Sequence, residues 1–235
     1  MKKNNIRIYI KLSLDRLNLL NVFQKINKWK IGNSNQNSDF NVNGFKVFKL
    51  VVKNINENNI EVWPTFGTLL GLVRNKKLLD YDNDLDFGCF FDLDRQSSLR
   101  KKLLGLGFKR DCSLYFNDIC VLDKFIYDGV EIDFYYFFKD QDDVFSYDFD
   151  QDGFLSVEEN IKIGKKIIPY KSIYSNFHFK QIEIDGLKFN IPDPIRKHLA
   201  DLYGDNYETP DKEWHNKKRK NRYAILDAKV LFEKL

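Results

Sequence analysis

The run Asp80-Tyr-Asp82-Asn-Asp84-Leu-Asp86-Phe-Gly88 constrains this chain more than any other stretch. If residues 82–87 enter or form a β-strand, alternate side chains share a face. Asp82, Asp84 and Asp86 then project together, while Leu85 and Phe87 turn into a core. Like charges held a few ångströms apart repel, and a divalent cation between them is the readiest way to sustain the cluster. Hard oxygen ligands suit Mg²⁺ or Mn²⁺, and such sites mostly serve transfer at phosphorus. The bland counterpart is a solvated acidic loop ahead of a strand.

What precedes the run favours the site. The β-prone segment 60–66 leads into Gly67-Thr68-Leu-Leu-Gly71-Leu-Val-Arg74, whose glycines mark a turn into a short helix. Glycine at Gly67 lets a phosphate approach the backbone, and the amides around Thr68 at a helix start can bind it. Arg74 adds a fork-shaped phosphate donor, or else a surface salt bridge to one of the aspartates. A third carboxylate is expected from a neighbouring strand. Val130-Glu131-Ile132-Asp133-Phe134 offers Asp133, with Ile132 and Phe134 facing the core.

Around these motifs, helical spacing of Phe45, Val47, Phe48, Val51, Val52 and Ile55 predicts a helix over 42–59. Asp92 or Asp94 caps a second helix through Leu104. Turns at Asn117-Asp118, Asp128-Gly129 and Asp185-Gly186 predict hairpins, Pro194 opens a helix over 195–202, and a last helix is expected over 217–235. Hairpins among helices give an α/β chain of the α+β kind with a mixed sheet. The polar run 31–39 reads as a linker, so residues 1–40 form an N-terminal arm and linker and 41–235 one domain with C-terminal helices.

Thirty-eight basic against 34 acidic residues give a net charge of +4, too weak to call for nucleic acid. The cluster Lys217, Lys218, Arg219, Lys220 and Arg222 reads as a solvated helix face. Cys89, Cys112 and Cys120 fit no metal spacing and read as free thiols in a reducing compartment. His178, His198 and His215 are scattered and read as structural or surface residues. The apolar start is interrupted by Lys11, Asp15 and Arg16, so no transmembrane segment and a cytoplasmic protein are expected.

The stretch 66–74, followed by Leu79-Asp80-Tyr81-Asp82-Asn83-Asp84-Leu85-Asp86, resembles the signature of the LicD/fukutin family: GTLLG-x-x-R, then a (W/Y)-D-x-D-hydrophobic-D strand. Residues 189–210, with Pro192, Leu199 and Tyr203-Gly204 before Pro210, resemble the family's closing pattern. Phe66 departs from a small residue in many relatives, and Asp80 from a common proline. The resemblance implies a nucleotidyltransferase-like mixed β-sheet flanked by helices. It also implies a metal-dependent phosphotransferase that moves phosphocholine, ribitol phosphate or a similar group from a CDP-linked donor to a sugar hydroxyl of a glycan acceptor, such as a cell-surface polysaccharide. Asp84 and Asp86 match the family's metal pair, Asp82 the preceding acidic position and Asp133 the third carboxylate. Gly67, Thr68 and Arg74 fall to the substrate, Mg²⁺ or Mn²⁺ to the metal site, and Asp133 to the acceptor's proton. The alternatives are a nucleotidyltransferase that uses NTP, and a calcium-binding regulatory module on an inactive scaffold.

The second of these comes from Asp148-Phe-Asp150-Gln-Asp152-Gly153-Phe154-Leu155-Ser156-Val-Glu-Glu159, which matches an EF-hand loop. Asp148, Asp150, Asp152, Phe154 and Glu159 would hold Ca²⁺, although no second loop accompanies it. An Asp-Gly surface turn is the competing reading.

Overall fold

The computed structural model describes residues 35–56, 60–149, 160, 167–211, 214 and 218–235. Helix α1 (Asn35–Asn56) buries Phe40, Val47, Phe48, Val51, Val52 and Ile55, the stripe set by the 3.6-residue period. It starts inside the polar run read as a linker. Strand β1 (Val62–Pro64) leads directly into α2 (Phe66–Asn75), which is followed by β2 (Asp84–Phe90) and α3 (Leu93–Gly105). Asp92 caps α3 by accepting the Arg95 amide at 2.9 Å.

Four antiparallel strands follow: β3 (Lys109–Phe116), β4 (Ile119–Tyr127), β5 (Val130–Asp140) and β6 (Asp143–Phe149). The β3–β4 and β4–β5 turns use Asn117, Asp118, Asp128 and Gly129 at positive φ, as two-residue hairpins require. Beyond β7 (Pro169–Ser175), the hairpin β8 (His178–Ile184) and β9 (Leu187–Asp193) forms a separate two-stranded sheet turned by Asp185-Gly186. Helix α4 (Ile195–Tyr203) then ends at Gly204.

The helix expected over 217–235 is replaced, among the described residues, by β10 (Arg222–Ala224) on β7 and β11 (Val230–Lys234) on β3. The apolar spacing of Ile225, Leu226, Val230 and Leu231 is compatible with a helix, but two open sheet edges supply backbone partners that outweigh local propensity. The principal, nine-stranded sheet runs β10-β7-β6-β5-β4-β3-β11, with β2 parallel to β5 and β1 beside β2. Helices beside this mostly antiparallel, mixed sheet make an α+β fold.

One face of the β2–β5 pair is sealed by aromatic packing. Phe48 of α1 stacks on Phe87 at 5.6 Å, and Phe87 stacks on Phe134 at 5.4 Å. Burying each such ring contributes about 1.5–3 kcal/mol. With the Phe87 face closed, the period of two forces the carboxylates onto the other. Farther along that second face, Gly88 admits fully buried Trp63, since a Cβ there would lie 2.4 Å from Trp63 Cε2.

Candidate active site

The parallel register of β2 and β5 sets Asp84 beside Glu131 and Asp86 beside Asp133, and the antiparallel register of β4 sets Lys124 beside Asp133. Paired residues share a face, so these five side chains form one charged patch across three strands. One carboxylate oxygen from each of Asp84, Asp86 and Asp133 lies within 4.8 Å of the others. Lys124 Nζ donates to Glu131 Oε2 at 2.9 Å and stands 3.3 Å from Asp133 Oδ1. That last contact lacks hydrogen-bond alignment. Asp133 Oδ1 is therefore a buried oxygen with no donor directed at it, in a residue only 4% exposed.

Helix α2 fixes the strand that carries the pair. The Thr65 amide donates to the Asp86 carbonyl at 3.0 Å, and the Asp86 amide donates to Thr68 Oγ1 at 2.9 Å. Thr68 is buried and does not line the cleft, and its hydroxyl, by accepting this bond, supports Asp86. Gly67 does line the cleft. Its missing side chain makes room for Asp82, because a Cβ would lie 2.6 Å from Asp82 Oδ2. Asp82 precedes β2 and leans on α2, so the three aspartates share a cleft although they do not share a strand. Arg74 lines the same cleft, with its terminal nitrogens donating to the Tyr207 carbonyl at 3.3 Å and to Tyr81 Oη at 3.2 Å. Among the described residues it forms no salt bridge to an aspartate.

Burial raises the Asp82 carboxyl to about 7, with the Asp84 charge adding to the effect. Burial likewise raises Asp84, against the pull of Lys124, and drives Asp86 well up, reinforced by Asp84, Asp133 and Asp82. Asp133 is pushed up by burial too, with Lys124 opposing. Four carboxyls that resist ionising together are what a cation-binding site looks like before its charge is balanced.

The cleft above them has a volume of about 1320 Å³. Its lining also includes residues that the sequence offered for other reasons or not at all. Tyr203 comes from the end of α4, Trp214 packs on Tyr203 at 4.7 Å, and Arg219 and Asp148 line the cleft with the aspartates. The basic cluster is thus no solvated helix face at Arg219 and Arg222, whose side chains are 5% and 4% exposed. Both are drawn in by Asp148, which accepts from Arg222 Nε at 2.6 Å and from Ser172 Oγ at 2.7 Å. As the first residue of the EF-hand-like pattern, Asp148 is committed on β6 to these partners rather than turned into a calcium loop. Asp150, Asp152, Phe154 and Glu159 lie outside the described residues, as do His215 and residues 1–34.

The other singled-out groups fall away from the cleft. Cys89, Cys112 and Cys120 are buried and unbridged. His198 is buried against Tyr174 and Phe177, and His178 pairs with Asp193 at 3.2 Å on the β8–β9 hairpin. No helix among the described residues is long and apolar enough to cross a membrane.

Comparison with known proteins agrees with this arrangement. The sequence model of the LicD/FKTN/FKRP nucleotidyltransferase domain matches residues 59–193, the span that holds all four aspartates. The chain is 25% identical over 174 residues to the ribitol-5-phosphate transferase FKTN of Homo sapiens, and to the same extent to that of Macaca fascicularis. The aligned part is 72% of this chain and 34% of each relative, so the chain spans about a third of their length. With the domain model matched over more than half of its residues, this chain belongs to the LicD/FKTN/FKRP family.

Proposed function

We propose that the protein is a divalent-metal-dependent phosphotransferase that moves a phosphate-linked alcohol from a CDP-activated donor to a sugar hydroxyl of a glycan. The observation that carries this reading is the convergence of Asp84, Asp86 and Asp133 at the base of the cleft. The three carboxylates fit an Mg²⁺ or Mn²⁺ ion: the donor set is all hard oxygen, and Asp133 Oδ1 has no hydrogen-bond donor of its own. Asp84, Asp86 and Asp133 would hold the ion, one carboxylate oxygen from each lying within 4.8 Å of the others. Bound there, such an ion supplies charge neutralisation for the donor's diphosphate and for charge developing at phosphorus.

The chain's own groups do the rest. Lys124 balances Asp133 and Glu131 and holds Asp133 in place behind the pair. Thr65 and Thr68 fix Asp86, and Arg74 stands in the cleft as a phosphate donor. The acceptor hydroxyl attacks the alcohol-bearing phosphorus, the bond from that phosphorus to the bridging oxygen breaks, and CMP leaves. Asp82 lines the cleft, whereas Asp133 is buried beneath it, so Asp82 is the carboxylate placed to take the hydroxyl's proton. This moves the base role from Asp133 and leaves Asp133 as a ligand. The relatives' name makes ribitol 5-phosphate one candidate for the transferred group.

A thermal-shift screen of CDP-ribitol, CDP-choline, CDP-glycerol and NTPs with Mg²⁺ or Mn²⁺ tests the reading, since a ligand of the folded state raises its melting temperature. A CDP-alcohol should stabilise the chain and release CMP when a glycan acceptor is added. Turnover of NTP to pyrophosphate, with none of CDP-alcohols, would replace this proposal with nucleotidyl transfer.

A further inference from the structure

Asp148 and two aromatic rings bury Arg219, yet among the described residues these contacts leave one of its N–H donors unused. Its guanidinium lies 5.0 Å from the Phe66 ring and 5.6 Å from the Trp214 ring, on the wall of the cleft that holds Asp82, Asp84 and Asp86. Ring contacts with the guanidinium use none of its N–H donors. The carboxylate at hand, Asp148, stands 3.8 Å away and already accepts from Arg222 and Ser172. Arg219 Nε has no acceptor among the described residues. A buried charged donor without a partner is costly, and such a group is retained most readily where a ligand completes it. Arg74, whose Nε likewise has no acceptor among the described residues, directs its two terminal nitrogens to Tyr207 and Tyr81.

The seat is also built in advance. Two residues on, the Asn221 carbonyl accepts from the Ile173 amide at 2.9 Å, and Asn221 Nδ2 donates to the Ile173 carbonyl at 2.6 Å. The adjoining β10 is laced to β7. A planar fork held this way matches two oxygens of a phosphate.

Building on the phosphotransfer reading, we propose that Arg219 is a donor-binding residue: its guanidinium, with Nε unpaired, takes non-bridging oxygens of the nucleoside diphosphate in the cleft that Asp82, Asp84 and Asp86 also line. The C-terminal segment is thereby part of the substrate site, outside the span that the family's domain model matches.

The test is calorimetric titration of the full chain with CDP in the presence of Mn²⁺, for the wild type, Arg219→Gln and Arg219→Lys, with cytidine as the probe lacking phosphate. Mn²⁺ affinity is followed separately by electron paramagnetic resonance. Arg219→Gln should weaken CDP at least tenfold, and Arg219→Lys several-fold, because the charge remains but the fork is lost. Cytidine and Mn²⁺ should bind all three alike. Should the Gln variant not fold, the Lys variant carries the comparison. Unchanged CDP affinity in a folded variant, or an equal loss for cytidine, overturns the assignment and leaves the phosphotransfer reading standing. A wild-type chain that binds neither CDP nor Mn²⁺ overturns both.

Discussion

Gly67→Ala separates the shape of the site from the stability of the fold. A Cβ at Gly67 would meet Asp82 Oδ2 at 2.6 Å, and ordinary contact begins at 3.4 Å, so the carboxylate must retreat by about 0.8 Å. The obstacle is the tip of a side chain, and Ala is favoured over Gly in a helix by about 0.5–1 kcal/mol, which offsets the crowding. The melting temperature should therefore stay within about 3 °C of wild type. Turnover of the CDP-alcohol should fall by on the order of a hundredfold, the scale of loss that a 1 Å misplacement at a reacting centre produces. Steady-state kinetics beside a thermal melt measures both. If the effect runs through Asp82, Gly67→Ala should add little to the loss caused by Asp82→Asn, because mutations acting on one group are not additive. Wild-type turnover in the Ala variant, or a melting loss well beyond that range, would refute the placement of Asp82 against α2.

Two further perturbations act on titration and burial. Asp82, Asp84, Asp86 and Asp133 all have folded-state pKa values raised above those of the unfolded chain, so the folded state holds more protons between about pH 4 and 7. Their contribution to stability thus declines as pH rises through that window. A melting temperature for the metal-free chain that falls from pH 5 to pH 8, with Mn²⁺ diminishing the fall, is expected from a pH series of thermal melts; an equal slope with Mn²⁺ would argue against a cation among these groups. His198 is pushed down to about 4 by burial, and neither ring nitrogen has a partner among the described residues. His198→Phe should raise the melting temperature by a few degrees, because it removes a buried unsatisfied polar group worth about 1–3 kcal/mol.

What was legible in the sequence is what short-range periodicity encodes. Alternation in Asp84-Leu85-Asp86-Phe87 and in Glu131-Ile132-Asp133-Phe134 separates charged from core faces without knowledge of the partner strand. The dipeptides Asp128-Gly129 and Asp185-Gly186 announce their turns through their tolerance of positive φ. Lys124 was not legible, since only the register of β4 on β5 brings it to Asp133. Arg219 and Arg222 looked like surface charge because Asp148, which draws them in, lies more than seventy residues away. The same long-range pairing engages Asp148, the first residue of the EF-hand-like pattern. A local motif fixes neither which sheet its first residue joins nor which cation meets it there.

The central claim, a metal-dependent transfer run by the paired aspartates of β2, is tested most directly by Asp84→Asn and Asp86→Asn. Each exchange keeps size and much hydrogen bonding while removing one anionic ligand, and relief of repulsion in the metal-free cluster should leave the melting temperature unchanged or slightly raised. The measurement is CMP release from the CDP-alcohol identified by the donor screen, at saturating Mn²⁺, with variants shown to be folded. A fall of on the order of a hundredfold or more in each is predicted, as for the loss of a major electrostatic stabiliser. Near-normal Mn²⁺-dependent turnover in either folded variant would contradict the account.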